Sequence, residues 1–173
     1  MGKNTNKHFD LLVIGAGAAG MMAAITAARE QKSVCVLEKL NKAGKKLLAT
    51  GNGKCNFTNV DIHADYYSFE EGSVADGVLN SLSSIDICEY FADLGVLSME
   101  RKGGMYPVTG QAGTIQTAFL QAMEQLGIEV IYNACIGEIV RDKEQFVVHM
   151  DNKFIYFDAV ILACGGKAAP KTG

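Results

Sequence analysis

Two short stretches carry residues whose types and spacing could do chemistry. The first is Gly15-Ala16-Gly17-Ala18-Ala19-Gly20, between an apolar run (Phe9 to Ile14) and an alanine-rich one (Met21 to Gln31). Strand, glycine turn and helix in that order are the setting in which GxGxxG cradles a dinucleotide. Gly15 permits the tight turn, Gly17 lets a diphosphate approach the backbone, and Gly20 lets the helix pack close to the strand. The helix N-terminus adds free N–H groups and a partial positive charge. Ala18 and Ala19, followed by Ala23 and Ala24, keep that surface small. Glu38 ends a second apolar run, Ser33 to Leu37. A carboxylate there can accept hydrogen bonds from ribose hydroxyls and repels a 2′-phosphate.

The second stretch is Thr50-Gly51-Asn52-Gly53-Lys54-Cys55-Asn56. A triphosphate-binding loop needs GxxxxGK followed by Ser or Thr. Leu48 stands where the first glycine would be, and Cys55 follows Lys54. The stretch is therefore not a triphosphate loop. It follows the acidic strand end closely, together with Gly44-Lys45-Lys46. Glycines allow close backbone contact, and lysines can neutralise a diphosphate. Asn52 and Asn56 can donate to and accept from a flat heterocycle. Lys39 and Lys42 suit a solvated basic loop, although Lys39, adjoining Glu38, counts among the candidate contacts. Cys55 lies in the same loop and reads better as a packed small residue than as a reactive thiol.

The elements that must position these residues follow from period and punctuation. Phe9 to Ile14 and Ser33 to Leu37 read as buried parallel strands flanking the first helix. Residues 39–60 form a long loop with a short helical piece. Residues 74–95 read as two helices, the second with Ile85, Cys88, Phe91, Ala92 and Gly95 near helical spacing. Short strands are expected around Gly103-Gly104. Gln111 to Leu126 is an amphipathic helix that Gly127 stops, and Ile128 to Tyr132 is the next strand. From Ile136 to Phe157 the pattern predicts three short strands. Polar turns at Arg141–Glu144 and Asp151–Lys153 separate them, giving a β-meander in place of a crossover helix. A further buried strand, Asp158 to Ala163, ends at Cys164-Gly165-Gly166. The predicted fold class is α/β: a parallel sheet of Rossmann type with a β-meander crossover.

Composition narrows the functional classes. With 16 basic and 19 acidic residues the net charge is −3, which does not indicate a nucleic-acid or membrane-surface binder. Leu11 to Ala28 is nearly as apolar as a membrane span, but Gly15, Gly17 and Gly20 interrupt it, and glycine is unfavourable within a helix. No membrane association is expected. Five scattered cysteines without a CxxC spacing suggest free thiols in a reducing cytoplasm. His8, His63 and His149 are far apart, so no metal site is expected. No motif names a catalytic residue.

Taken together, GAGAAG, LEK, GKKLLATGNGKCNFTN, MYPVTGQA and VILACGGKAAPKTG resemble the HI0933-like flavoproteins. The match runs from about Asp10 to Gly173 and is most specific in the long loop. The resemblance implies FAD as a non-covalent cofactor, with its adenosine held by Gly15–Gly20 and Glu38. Residues 44–56 would lie along the diphosphate and toward the flavin ring. Ile136, at the start of the meander, would contact the adenine. The turn Ala163-Cys164-Gly165-Gly166 would pass near the cofactor. Lys54 stands where many members have arginine, Cys164 where threonine or alanine is frequent, and Gly104 where arginine is common. Family members are considerably longer. Residues 1–173 therefore resemble the N-terminal part of a FAD domain with two dinucleotide-binding motifs. The inserted substrate domain and the C-terminal FAD segment would be absent. The activity implied is flavin-dependent redox chemistry with NAD(P)H as a transient donor. The substrate would be a small conjugated molecule such as an oxidised steroid, a uracil ring in RNA, or a small amine oxidised in the opposite direction. Two alternatives stay open: a non-catalytic FAD-binding fragment, and an NAD-dependent dehydrogenase domain supported by the glycine turn and Glu38 alone.

Overall fold

The computed structural model describes residues 7–63, 66–67, 74–150 and 153–166. The expected turn at Asp151-Asn152 and the stretch from Lys167 to Gly173 lie outside the described residues. In chain order the elements are β1 (Lys7–Ile14), α1 (Ala18–Arg29), β2 (Val34–Leu37), a kinked 3-10 segment (Leu47–Gly53), β3 (Thr58–Asn59), α2 (Val74–Ser81), α3 (Ser84–Asp93), β4 (Ser98–Arg101), β5 (Gly104–Pro107), α4 (Ala112–Gln125), β6 (Glu129–Ile131), β7 (Ile139–Asp142), β8 (Gln145–Met150) and β9 (Lys153–Leu162). They form two compact units. One comprises the chain up to Leu47 and from Phe119 onward; the other is Leu48–Ala118.

The first unit is built on a six-stranded sheet of order β6-β2-β1-β9-β8-β7. The first four strands in that order are mutually parallel, and β8 and β7 add on antiparallel. Every residue of β2 and the last four of β1 are buried, as strands covered on both faces require. Alternation sends Leu12, Ile14, Cys35 and Leu37 into one core cluster with Val148, Ile155 and Phe157. Val13 and Val36 point to the opposite face, where α1 packs on β1 and β2 through Met21, Ala24 and Ile25. The entry to this unit is pinned by Asp10, whose carboxylate accepts from Ser33 N (2.6 Å) and Ser33 Oγ (2.5 Å). The Ser33 bonds hold the Asp10 carboxyl below its usual range.

The expected third meander strand and the following buried strand are one element, β9. It runs antiparallel to β8 through Phe157 and parallel to β1 from Ile155 to Leu162. Asp158 does not break it, because its side chain lies at the surface and accepts from His8 Nε2 at 2.9 Å. The expectation of burial fails at its far end: Ile161 is 39% and Leu162 72% exposed. Past Phe157, β1 is the strand that pairs with it among the described residues. The meander strand β7 begins at Ile139, not Ile136, and the turn tightens to Lys143-Glu144, with Lys143 at φ 58°.

The second unit contains an antiparallel sheet of order β3-β5-β4 together with α2 and α3. A capping box between Ser83 and Asp86 starts α3, closing orphan N–H groups at its N-terminus. Phe91 is buried and meets Phe57 with ring centroids 4.8 Å apart. Of the residues near helical spacing with Phe91, Ile85, Ala92 and Gly95 are exposed. On α4, Ile115, Phe119, Ala122 and Met123 are buried as the spacing predicts, while Leu126 is 38% exposed. Gly127, at φ 68°, ends that helix, and Ile128 N donates back to Met123 O.

Phe157 is fully buried, belongs to the core cluster and stacks with Phe9 at 5.9 Å. Phe157→Ala should therefore lower the unfolding free energy by about 3–5 kcal/mol. Denaturant titration measures it; a loss under about 1 kcal/mol would contradict the β8–β9 core described here.

Candidate functional site

In the first unit the C-terminal ends of β1, β2, β6 and β9 open onto a crevice of about 480 Å3. Open parallel sheets place ligand sites there because the chain leaves neighbouring strands in opposite directions. Four backbone segments make the walls: residues 14–17, 37–46, 133–136 and 163–165.

The glycine turn is set by contact. Gly15 has φ 103°, and a Cβ on it would lie 2.5 Å from the carbonyl oxygen of Ala163. A Cβ on Gly20 would run into the carbonyl oxygen of Gly15 and lie 3.2 Å from the Ala163 Cβ. Gly17 differs: nothing lies within 4 Å of the position its Cβ would take. It is the N-cap of α1, in extended conformation and without a side-chain cap. The first N–H groups of α1 have no partner within the helix, and Gly17 itself lines the crevice. The first turn of α1 thus offers donors beside an unobstructed surface.

Glu38 is 9% exposed and its carboxylate is already engaged. Oε2 accepts from Ala16 N at 2.7 Å, and Oε1 accepts from Leu40 N at 2.8 Å. Each oxygen keeps a further lone pair for a ligand. Past Glu38 the chain doubles back, and Gly44 N donates to Ala16 O at 2.7 Å. This return brings Lys42, Lys45 and Lys46 to the crevice with Lys39. Lys46 is half-buried, and its Nζ donates to Gly166 O at 3.4 Å.

The crevice thus unites Gly15, Gly17, Glu38, Lys39, Gly44, Lys45, Lys46, Ile136, Ala163, Cys164 and Gly165. Ala18 and Ala19 are exposed on the first turn of α1, and Gly20 is buried. Cys164 Sγ donates to Ile14 O at 3.7 Å. Among the contributors that sequence reasoning did not single out are Leu40, Lys42, which it read as a solvated charge, and Asn133, Ala134 and Cys135. The last three follow β6, so their place at the end of a parallel strand was the available signal.

Gly51, Asn52, Gly53, Cys55 and Asn56 belong to the second unit. Gly51 and Asn52 are both left-handed (φ 54°), as are Gly53 (φ 80°) and Cys55 (φ 58°). Left-handed backbone at two non-glycine residues costs energy and is concentrated at functional loops. The loop is closed by Cys55 N donating to Thr50 O at 3.1 Å. Cys55 is buried, which pushes its thiol pKa up, as the packed-residue reading expects. The Asn56 amide donates to Thr58 O (2.7 Å) and Met105 O (3.3 Å). With the amide so oriented, a Cβ on Gly104 would lie 2.9 Å from its other polar atom, Asn56 Oδ1. A larger residue at 104 would therefore displace this amide.

A match to the HI0933-like protein Rossmann domain spans residues 9–173. The chain belongs to the HI0933-like family. Its fold is that of a Rossmann-like FAD-binding domain with a β-meander crossover. This HI0933-like chain is 36% identical over 163 residues to the 3-dehydro-bile acid Δ(4,6)-reductase of Clostridium scindens, covering 93% of this chain and 40% of that protein. It is 26% identical over 172 residues to the ribosomal RNA dihydrouridine synthase of Haemophilus influenzae, covering 97% and 43%. The chain thus spans well under half the length of these curated relatives. Among solved structures, the 3-ketosteroid-Δ4-(5α)-dehydrogenase of Rhodococcus jostii RHA1 superposes with a TM-score of 0.65 at 17% identity, over 90% of this chain and 45% of that one. At such identity the likeness concerns the fold. Among the described residues no helix is long and apolar enough to cross a membrane.

The second and third glycines of the turn should respond differently to the same added methyl. Gly20→Ala forces a Cβ into backbone and should cost about 1–3 kcal/mol in unfolding free energy. Gly17→Ala meets open space and should cost under about 1 kcal/mol. Thermal or denaturant unfolding of both variants gives the comparison; equal costs would contradict the close β1–α1–β9 approach.

Proposed function

We propose that the crevice holds the adenosine diphosphate half of FAD, and that the chain is the FAD-binding part of a flavin-dependent oxidoreductase. The observation that carries this reading is convergence. The open first turn of α1, the Glu38 carboxylate, the lysine-bearing loop and the half-buried Ile136 all meet at one set of strand ends. In this reading the α1 N–H groups and Lys45 and Lys46 face the diphosphate, and the spare lone pairs of Glu38 take ribose hydroxyls. Ile136 flanks the adenine, and Ala163–Gly165 bound the opposite wall. Residues 1–173 would then be the N-terminal part of the FAD domain. A substrate domain and a C-terminal FAD segment would come from the rest of a protein of the relatives' length.

When bound, FAD would supply two-electron chemistry: hydride taken from a donor such as NAD(P)H could be delivered to the electron-poor carbon of a conjugated C=C bond, with a proton going to the neighbouring carbon. The chain's own part is to hold the dinucleotide in register and neutralise its charge. A small conjugated substrate is favoured over RNA. The relative at 36% identity is named as a bile acid reductase, whereas the one named for ribosomal RNA stands at 26%. The net charge of −3 also gives no support to a polyanionic partner. The five free cysteines fit a reducing cytoplasm.

Purified protein mixed with FAD, NAD or NADP in separate titrations tests the cofactor. FAD should bind with quenching of its fluorescence and give a yellow protein. A chain that retains NAD and not FAD would overturn the reading. Glu38→Ala should weaken FAD by about tenfold or more, the worth of hydrogen bonds to a buried charge. Lys39→Ala, at an exposed position, should change it by about twofold or less. Equal losses by calorimetry would put the ribose elsewhere.

A further inference from the structure

Glu38 is joined to three walls of the crevice at once. Its two carboxylate oxygens take the N–H groups of Ala16 and Leu40. Its backbone N donates to Ile131 O and its backbone O accepts from Ala134 N, both at 2.9 Å. Ala16, held by the carboxylate, in turn accepts from Gly44 N, and Leu40 O accepts from Asn133 N at 3.1 Å. The buried Glu38 side chain thereby ties the glycine turn to the start of the lysine loop, while backbone bonds of Glu38 and Leu40 tie both to the segment after β6. None of these bonds involves a nucleotide. Charge-assisted bonds to backbone N–H groups are stronger than neutral ones, and low surrounding dielectric strengthens them further.

We propose that Glu38 is a positioning residue that sets the diphosphate cradle in its binding shape before any nucleotide arrives. The proposal rests on the dinucleotide reading of the crevice. It adds a role that a ribose contact alone would not need. Ala16 sits one residue before Gly17 and the first turn of α1, so fixing its amide fixes the direction of the donors that follow. Through Gly44 the same anchor fixes the approach of Lys45 and Lys46. A glutamine at 38 keeps size and shape but presents an NH2 group to one of the two backbone N–H donors, so one brace is lost.

Two ligands that each carry half of the chemistry separate the roles. Inorganic pyrophosphate has no ribose, and adenosine has no phosphate. Both are titrated by NMR into the wild-type protein and Glu38→Gln, and amide exchange is followed without ligand. The expected result is that Glu38→Gln weakens pyrophosphate by about tenfold and accelerates exchange at Ala16 and Leu40, while Val148 and Phe157 amides in the sheet stay protected. A variant that weakens adenosine alone, with pyrophosphate and the two amides unchanged, would overturn the proposal. Should the variant not fold, the nucleotide-free wild type decides. Its Ala16 and Leu40 amides should be protected well beyond that of Gly17, and equal exchange at the three sites would overturn the proposal. A wild-type protein that takes up neither ligand would remove the dinucleotide reading and this role with it. That outcome is told apart because it concerns binding and not exchange.

Discussion

The constraint on which the first unit depends is the approach of three backbones at the ends of β1, α1 and β9. Gly15 and Ala163 come so close that the carbonyl of Ala163 occupies the space of a side chain, and Gly20 lies against Gly15 in the same way. Backbone can come this near backbone only where Cβ atoms are missing or small. The result is a helix whose first turn begins directly at the strand ends. Its N-cap, Gly17, lines the crevice, so the donors of the first turn begin beside it without any side chain being needed to recruit an anion. Function at this site begins with packing.

A second layer is electrostatic. Glu38 is a carboxylate with little solvent contact, and such a group is costly unless its lone pairs are used. Two backbone N–H groups use them. The same bonds restrain the two loops that a dinucleotide would touch, so the solution to a burial problem also shapes the site. The lysines complement this acid from the solvent side. Four of them fall between residues 39 and 46 in a chain whose net charge is −3. Interactions between exposed charges fade over roughly 8 Å at physiological salt. A local run of this density therefore decides the potential in the crevice, and the overall balance does not.

How much of this is legible in the sequence depends on how local the determining contact is. The run from β1 through α1 to β2 is legible because period, glycine spacing and the terminal acid are written in consecutive residues. Both helices of the second unit and the hairpin around Gly103-Gly104 are legible for the same reason. The single strand β9 is not. Asp158 looks like a break, and only its pairing with His8, 150 positions away, shows that a polar residue sits on a continuous strand. The exposure of Ile161 and Leu162 is equally hidden, since it depends on where β8 stops pairing. At the site, Lys42 reads as a solvated charge because nothing local reveals that Gly44 bonds back to Ala16 and turns the whole loop toward the crevice. Asn133 to Cys135 carry no motif at all; they become wall residues through the neighbour relation of β6 and β2.

Cofactor recognition and substrate recognition also differ in what they ask of a chain. Binding a diphosphate needs N–H groups, small residues and a few cations at strand ends, all of which one sheet and one helix can supply. Choosing among electron-poor carbons needs a shaped enclosure around the reacting bond, with polar groups placed to a fraction of an ångström. In the first unit the polar groups converge on the dinucleotide end: Ala16, Glu38, Leu40 and Gly44 are joined to one another there. In the second unit the features bearing on chemistry are the left-handed turn at Gly51 to Cys55 and the amide of Asn56, which is committed to β-sheet carbonyls. Backbone-rich, side-chain-poor surfaces of this kind suit a large planar cofactor, which is recognised by its edges and its charge. They are poorly suited to discriminating small apolar substrates, because discrimination of that kind is made by side-chain volume. Under the proposed function, the crevice of the first unit is suited to hold the reagent more than to select a substrate.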